Sequence, residues 1–169
     1  HVADHQALYD RVELELGGGD EKLLPTDERL YRHENGEDDL ALYALYFNFG
    51  RYLTIASSRP GTQATNLQGI WNASVEPPWN CNYTININTE MNYWPTQMVN
   101  LSECQEPLNR LIAELAQSGE RTARDYYGAP GFVAGTAQQP RRLSAAGLVR
   151  GSEQPAPRPF RRGDHGRAR

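Results

Sequence analysis

Apolar residues recur at helical spacing over much of the chain. In residues 3–16, Leu8, Val12 and Leu16 stand four apart, which predicts an amphipathic helix stopped by Gly17-Gly18-Gly19. Pro25-Thr26-Asp27-Glu28 reads as the start of a second helix, with Thr26 as N-cap and acids in the first turn. The strongest pattern runs from Asp38 to about Ser57. Leu42, Leu45, Tyr46, Phe49, Leu53 and Ala56 follow three- and four-residue steps, and Leu40, Ala44, Phe47 and Ile55 widen the apolar arc. A helix apolar on so much of its circumference is expected to be buried on several sides. Arg59-Pro60-Gly61 ends it. Helical signals resume at Thr89–Trp94. A longer helix is expected over 103–118, with Ser102 as N-cap, Leu108, Leu111, Ile112 and Leu115 as its stripe and Gly119 as its stop. A short one, Glu120 to Tyr127, should end at Gly128. Strand signals are sparse, so the fold class is all-α.

Between these helices, residues 60–88 hold no sustained period. They carry Asn66, Asn72, Asn80, Asn82, Asn86 and Asn88 together with Trp71, Trp79 and Tyr83. A loop that long inside a compact domain is usually functional or disordered. Three aromatics with Ile70, Ile85 and Ile87 need somewhere to pack, which argues for order.

Composition divides the chain. Of 169 residues 38% are hydrophobic, mean hydropathy is −0.71, and no run approaches the ~20 apolar residues of a membrane span. No signal peptide is visible, and the opening at His1 reads as a piece of a larger gene product, so the compartment stays unassigned. Residues 1–139 carry nine basic and nineteen acidic side chains, whereas 140–169 carry eight Arg, no Lys, Glu153 and Asp164. The acidic body argues against nucleic-acid binding. Residues 138–169, rich in Arg, Pro, Gly and Ala, are expected to be disordered. Out-of-frame translation of a GC-rich gene would produce such a composition; a basic nucleic-acid arm is the alternative. Domain organisation therefore reads as a helical lead-in over 1–37, a body over 38–137 and a tail over 138–169.

The chemistry narrows by elimination. His1 and His5 flank Asp4 at a frayed terminus, His33 and His165 stand alone, and no C-x-x-C pair exists, so no metal site is expected. Cys81 and Cys104 are too few for a disulfide framework; each is either a buried thiol or one half of a pair. Gly17-Gly18-Gly19 lacks the frame of a phosphate loop, no G-x-S-x-G elbow occurs, and no cofactor is implied. What remains is amide-rich and aromatic. Uncharged amides both donate and accept hydrogen bonds, and the indole faces of Trp71 and Trp79 can pack against sugar C–H faces, which suits a neutral polyhydroxylated ligand. The competing reading is that Asn caps turns while Trp fills core. In extended backbone, Asn86 and Asn88 would face one cavity while Ile87 points into the core. Alternatively, Asn88 or Thr89 simply caps the helix that follows.

The ordered runs Gly50-Arg51-Tyr52-Leu53, Ser57-Ser58-Arg59-Pro60-Gly61, Asn66-Leu67-Gln68-Gly69-Ile70-Trp71-Asn72, Pro77-Pro78-Trp79-Asn80, Asn86-Ile87-Asn88 and Met91-Asn92-Tyr93-Trp94-Pro95 carry a resemblance. Over residues 46–108 the sequence resembles glycoside hydrolase family 95, with weaker similarity from His5 to Ala134. That family contains α-L-fucosidases, typically acting on terminal α-1,2-linked fucose of glycans, and some α-L-galactosidases. The resemblance implies an (α/α)6 barrel, of which this chain would supply an incomplete N-terminal part. It also implies an inverting reaction in which Asn86 and Asn88 hold the attacking water. Asn88 matches the residue assigned as base, polarised by a downstream Asp, and a downstream Glu serves as acid.

Thr84 stands where some members have His, near the sugar. After Val133-Ala134 the sequence leaves the family pattern, so acid and polarising Asp are both missing, and Glu76, Glu90, Glu103 and Glu106 match neither. The expectation is a fucosidase fragment inactive as it stands. The alternatives are a noncatalytic carbohydrate-binding remnant and an α-L-galactosidase, in each case without nucleic-acid or membrane partners.

Overall fold

A computed structural model describes residues 1–135 and the backbone of 137–138. The expected tail lies outside the described residues, apart from the backbone of Gln138. Six α-helices follow in order among the described residues: α1 (Val2–Tyr9), α2 (Thr26–Glu34), α3 (Leu40–Ser57), α4 (Asn88–Tyr93), α5 (Pro95–Met98) and α6 (Glu106–Thr122). Short 3-10 turns occupy Asp20–Leu23, Pro78–Cys81 and Ser102–Gln105, and a π-helical turn, Ala123–Tyr127, extends α6 to Gly128. Among the described residues the strand content is one antiparallel pair, β1 (Tyr83–Thr84) with β2 (Ala137–Gln138), in the register Tyr83 to Gln138 and Thr84 to Ala137. The fold is mostly helical, as the periodicity indicates.

Two apolar clusters hold these elements together. Leu8 of α1, Ile55 of α3, Leu101 and Cys104 form one, with Tyr9 and Val99 against it. Ala64, Tyr83 and Tyr93 form the other, flanked by Ile85 and by Leu108 and Leu111 of α6. Cys81 and Cys104 are both buried free thiols, and burial pushes the Cys104 thiol up from its ordinary range. An ion pair joins α2 to α3. Arg29 Nε and Nη2 donate to Asp39 Oδ2 and Oδ1 at 2.7 and 3.0 Å, and both side chains are buried. Asp39 Oδ1 also accepts from the Leu42 N–H at 2.8 Å, so one carboxylate caps α3 and docks α2.

Several boundaries differ from those the pattern predicts. α1 ends at Tyr9 rather than Gly17, because Arg51 of α3 donates to the Leu8 and Val12 carbonyls. In a continuing helix the Leu8 carbonyl would serve the Val12 N–H. Thr26 is the first helical residue of α2 and makes no cap, and Ser102 opens a 3-10 turn instead of capping α6. Gly119 does not stop α6. It is buried inside the helix, where an added Cβ would lie 2.5 Å from the Val133 oxygen, and its carbonyl accepts the Val133 N–H. Close backbone approach, not chain termination, requires glycine there. Burial of α3 on several sides is also not observed. Ala41, Leu42, Arg51, Ile55 and Ser57 are buried, while Leu45, Tyr46 and Phe49 remain exposed. On that side α2 and α3 border an open groove lined by Leu30, Leu45, Tyr46 and Phe49.

Candidate functional site

The long loop folds through its own amides before it presents any. Asn66 and Gly69 exchange backbone hydrogen bonds, and Asn66 Oδ1 accepts from the Gln68 N–H at 2.8 Å. Gly69 sits at φ +65°, and a Cβ there would meet the Trp71 ring at 2.8 Å. Glycine is thus needed twice, for the left-handed backbone and for the indole lying over it. The next turn is tied to this one, because Gln68 Nε2 donates to the Pro78 carbonyl and the Leu67 N–H to the Asn82 carbonyl. In that turn Trp79, Asn80 and Cys81 hold φ values of 54°, 53° and 51°. Three successive left-handed residues without a glycine cost ~1–2 kcal/mol each. Strain of this kind collects at functional sites. It leaves Trp79 with 80% of its surface exposed.

The Asn86–Asn88 segment is a turn rather than extended backbone. Residues 85–87 form the turn and Asn88 is the first residue of α4. Ile87 is therefore not directed into the core; it is 39% exposed, and Ile85 packs there instead. Asn88 is not a cap either, because Ile87 holds the N-cap position and no side-chain cap bond is made. Asn86 and Asn88 are both exposed, and neither side chain makes a hydrogen bond among the described residues. Asn72, by contrast, is consumed locally, its amide bonding both the N–H and the carbonyl of Ser74.

Beside α4 lies a cavity of about 270 Å³, lined in part by Thr54 and Ser57 of α3, Gln68 and Trp71 of the loop, and Asn92 of α4. Asn88 and Asn92 are four apart and share one helix face; Asn92 Nδ2 donates to the Asn66 carbonyl. Among the described residues Gln68 Oε1 is buried without a partner. Of the residues singled out by sequence, Trp71 lines the cavity, whereas Trp79, Thr84, Asn86 and Asn88 do not. Thr84 is half-buried in β1. Glu103 is held by Arg11 and Glu106 accepts the Gly61 N–H, so both carboxylates have structural work. Among the described residues no group of three His, Cys, Asp or Glu side chains could hold a metal, and no helix is long and apolar enough to cross a membrane.

The sequence marks Tyr83 as a loop aromatic that must pack and Tyr93 as part of a family motif, but gives neither hydroxyl a role. Tyr83 Oη donates to the Ala64 carbonyl at 3.0 Å, and the Thr65 N–H donates to Tyr93 Oη at 2.9 Å. Burial pushes the Tyr83 hydroxyl up from its ordinary value, so it stays protonated and remains a donor. The ten-residue bracket from Tyr83 to Tyr93 is visible in the sequence, but its meaning depends on where residue 64 lies.

Comparison with known proteins gives the same direction throughout. The family model described as the glycosyl hydrolase family 95 catalytic domain matches residues 1–152. Alpha-L-fucosidase 2 of Arabidopsis thaliana is 46% identical over 139 residues, covering 79% of this chain and 16% of that protein. Probable alpha-fucosidase A of Aspergillus niger is 39% identical over 133 residues, 76% of this chain and 16% of that protein. Its namesake from Aspergillus oryzae is 31% identical over 137 residues, 79% of this chain and 19% of that protein. The chain thus spans less than a fifth of the length of each of these curated relatives.

Proposed function

This chain belongs to glycoside hydrolase family 95, and on that premise we propose that it contributes the water-holding part of an inverting exo-glycosidase that removes terminal α-L-fucose, α-1,2-linked, from glycans. Its helices are then the first of an (α/α)6 barrel, with the 60–88 loop at the sugar. Inversion requires water to attack the anomeric carbon on one face while an acid protonates the leaving oxygen on the other. Asn86 and Asn88 orient that water through their amides, with Asn88 positioned to receive its proton. A neutral amide is a very weak acceptor, so Asn88 works only beside a carboxylate that polarises it. Among the described residues no carboxylate is bonded to either amide. The polarising Asp and the acid Glu come from other parts of the domain. Trp71 and Trp79 offer indole faces to the sugar rings, and Thr84 lies on the strand just before the motif.

The observation that carries this reading is the pair of exposed amides leading into α4 that make no hydrogen bond among the described residues, whereas Asn66 and Asn72 of the same loop are tied into turns. In the longer protein, Asn88→Gly should lower kcat on a 2′-fucosyl oligosaccharide by ~10²-fold or more, in line with losing a group that acts on the attacking water, with the far-UV circular dichroism unchanged. Wild-type turnover in that variant would remove Asn88 from the reaction. Fucose titration followed by Trp fluorescence separates catalysis from simple binding.

A further inference from the structure

The two tyrosine hydroxyls that flank the asparagine motif converge on a single peptide group. The Ala64 carbonyl and the Thr65 N–H belong to one amide plane, and Tyr83 bonds the first while Tyr93 bonds the second. All four residues are buried. Tyr83 lies three residues before Asn86 and Tyr93 five residues after Asn88, so the whole turn is suspended between two hydroxyls resting on the same point.

The direction of every proton in this network follows from counting donors. Ser58 Oγ is 2.7 Å from the Cys104 carbonyl and 2.8 Å from Tyr93 Oη. A carbonyl only accepts, so the single Ser58 proton goes to Cys104 and Tyr93 must donate to Ser58. Tyr93 Oη in turn accepts from Thr65. The chain therefore runs one way, Thr65 N–H to Tyr93 to Ser58 to the Cys104 carbonyl, and ties α4 to the end of α3, the long loop and the approach to α6. Buried and fully satisfied networks of this kind specify one arrangement.

We infer that Tyr83 and Tyr93 are positioning residues for Asn86 and Asn88: by clamping both ends of the turn to the 64–65 peptide they fix the separation and heading of two amides that no other described side chain holds. This rests on the reading that those amides orient the attacking water. Exposed amides at the tip of a turn would otherwise sample many headings, and a misplacement of ~1 Å can cost ~10²-fold in rate. Phenylalanine preserves the packing of either ring in the Ala64 cluster while deleting its hydroxyl, so it separates positioning from core filling.

The test uses Tyr83→Phe, Tyr93→Phe, the double variant and, as control, Tyr46→Phe, whose side chain is exposed on α3. In the full chain 1–169, the side-chain amide resonances of Asn86 and Asn88 should be sharp and single in the wild type and the control. They should broaden or split in either clamp variant, while the amide of Asn72, which bonds only Ser74, stays unchanged. In the longer protein, each single variant should lower kcat on a 2′-fucosyl oligosaccharide ~10-fold or more with KM within ~2-fold, and the double variant should lose less than the product of the singles, because both hydroxyls hold one peptide. Unchanged Asn86 and Asn88 resonances in either correctly folded single variant would overturn the clamp, whatever the activity. Broadened amides in a longer protein without fucoside turnover would leave the clamp standing and overturn the catalytic reading. If the double variant does not fold, the two single variants decide by the same resonances.

Discussion

Six asparagines crowd the 60–88 loop, and their surroundings separate them. Asn66 and Asn72 use their side-chain oxygens to accept backbone N–H groups two residues on, the local habit that makes Asn a turn residue. Asn82 buries its side-chain oxygen without a partner. Among the described residues Asn80, Asn86 and Asn88 are exposed and make no side-chain hydrogen bond, and of these Asn86 and Asn88 lead into α4. Glycine chemistry matters equally here. Gly69→Ala would place a methyl 2.8 Å from the Trp71 ring at a φ of +65°, and the left-handed backbone itself disfavours Ala by ~1–2 kcal/mol. The indole must lift away from the loop. Its fluorescence should shift to the red while the far-UV circular dichroism stays constant; an unmoved spectrum would mean that the loop accommodates the methyl without displacing Trp71.

At the scale of elements, single polar groups govern how helices meet. The Arg29 guanidinium holds the Asp39 carboxyl below the usual carboxylate range, aided by the Leu42 N–H. A group depressed in the folded state contributes stability above its unfolded pKa of ~3.9 and loses it as pH falls through the lower folded value. Glu21, lowered mainly by the Gly19 N–H, and Glu103, lowered by its own backbone N–H and then by Arg11, act in the same sense. Asp39→Asn should therefore reduce Tm at pH 7 and flatten the fall of Tm between pH 5 and about 2, where the wild type loses the ion pair. Parallel Tm–pH curves for the two proteins would show that α2 docks by other means. In α6, Ala normally stabilises a helix by ~1 kcal/mol over Gly. Gly119→Ala should nonetheless destabilise by ~1–3 kcal/mol in urea, since the methyl meets the Val133 backbone. A stabilised variant would show that residues 131–134 shift freely.

Across the whole molecule, apolar surface is left over. A groove between α2 and α3 is lined by Leu30, Leu42, Leu45, Tyr46 and Phe49, and these helices expose apolar side chains that a finished core would cover. Among the described residues neither Asn86 nor Asn88 is bonded to a carboxylate. Residues 1–169 alone should therefore show no enzyme-like turnover of a 2′-fucosyl oligosaccharide, because general acid catalysis is commonly worth ~10²–10⁴-fold and an inverting reaction needs both partners. An activated aryl fucoside, which needs little acid assistance, is the second substrate to assay. Robust turnover of the oligosaccharide would place the acid inside this chain, with Glu76 and Glu90 the first to mutate.

Helix content, the strongest helix from residue 40 to 57 and the family were all legible in the chain itself, because hydrophobic period and short ordered motifs are local properties. The end of α1, the place of Gly119 within α6 and the exposure of Ile87 were not. Each depends on a contact that local pattern does not encode: Arg51 reaching Leu8 from 43 residues away, the Val133 backbone pressing on Gly119, and Ile85 taking the core position beside Tyr83 and Tyr93. The same holds for the amides. Sequence placed Asn86 and Asn88 two residues apart, but only the folded loop, hung on the 64–65 peptide by two tyrosines, decided that both stand free of hydrogen bonds among the described residues.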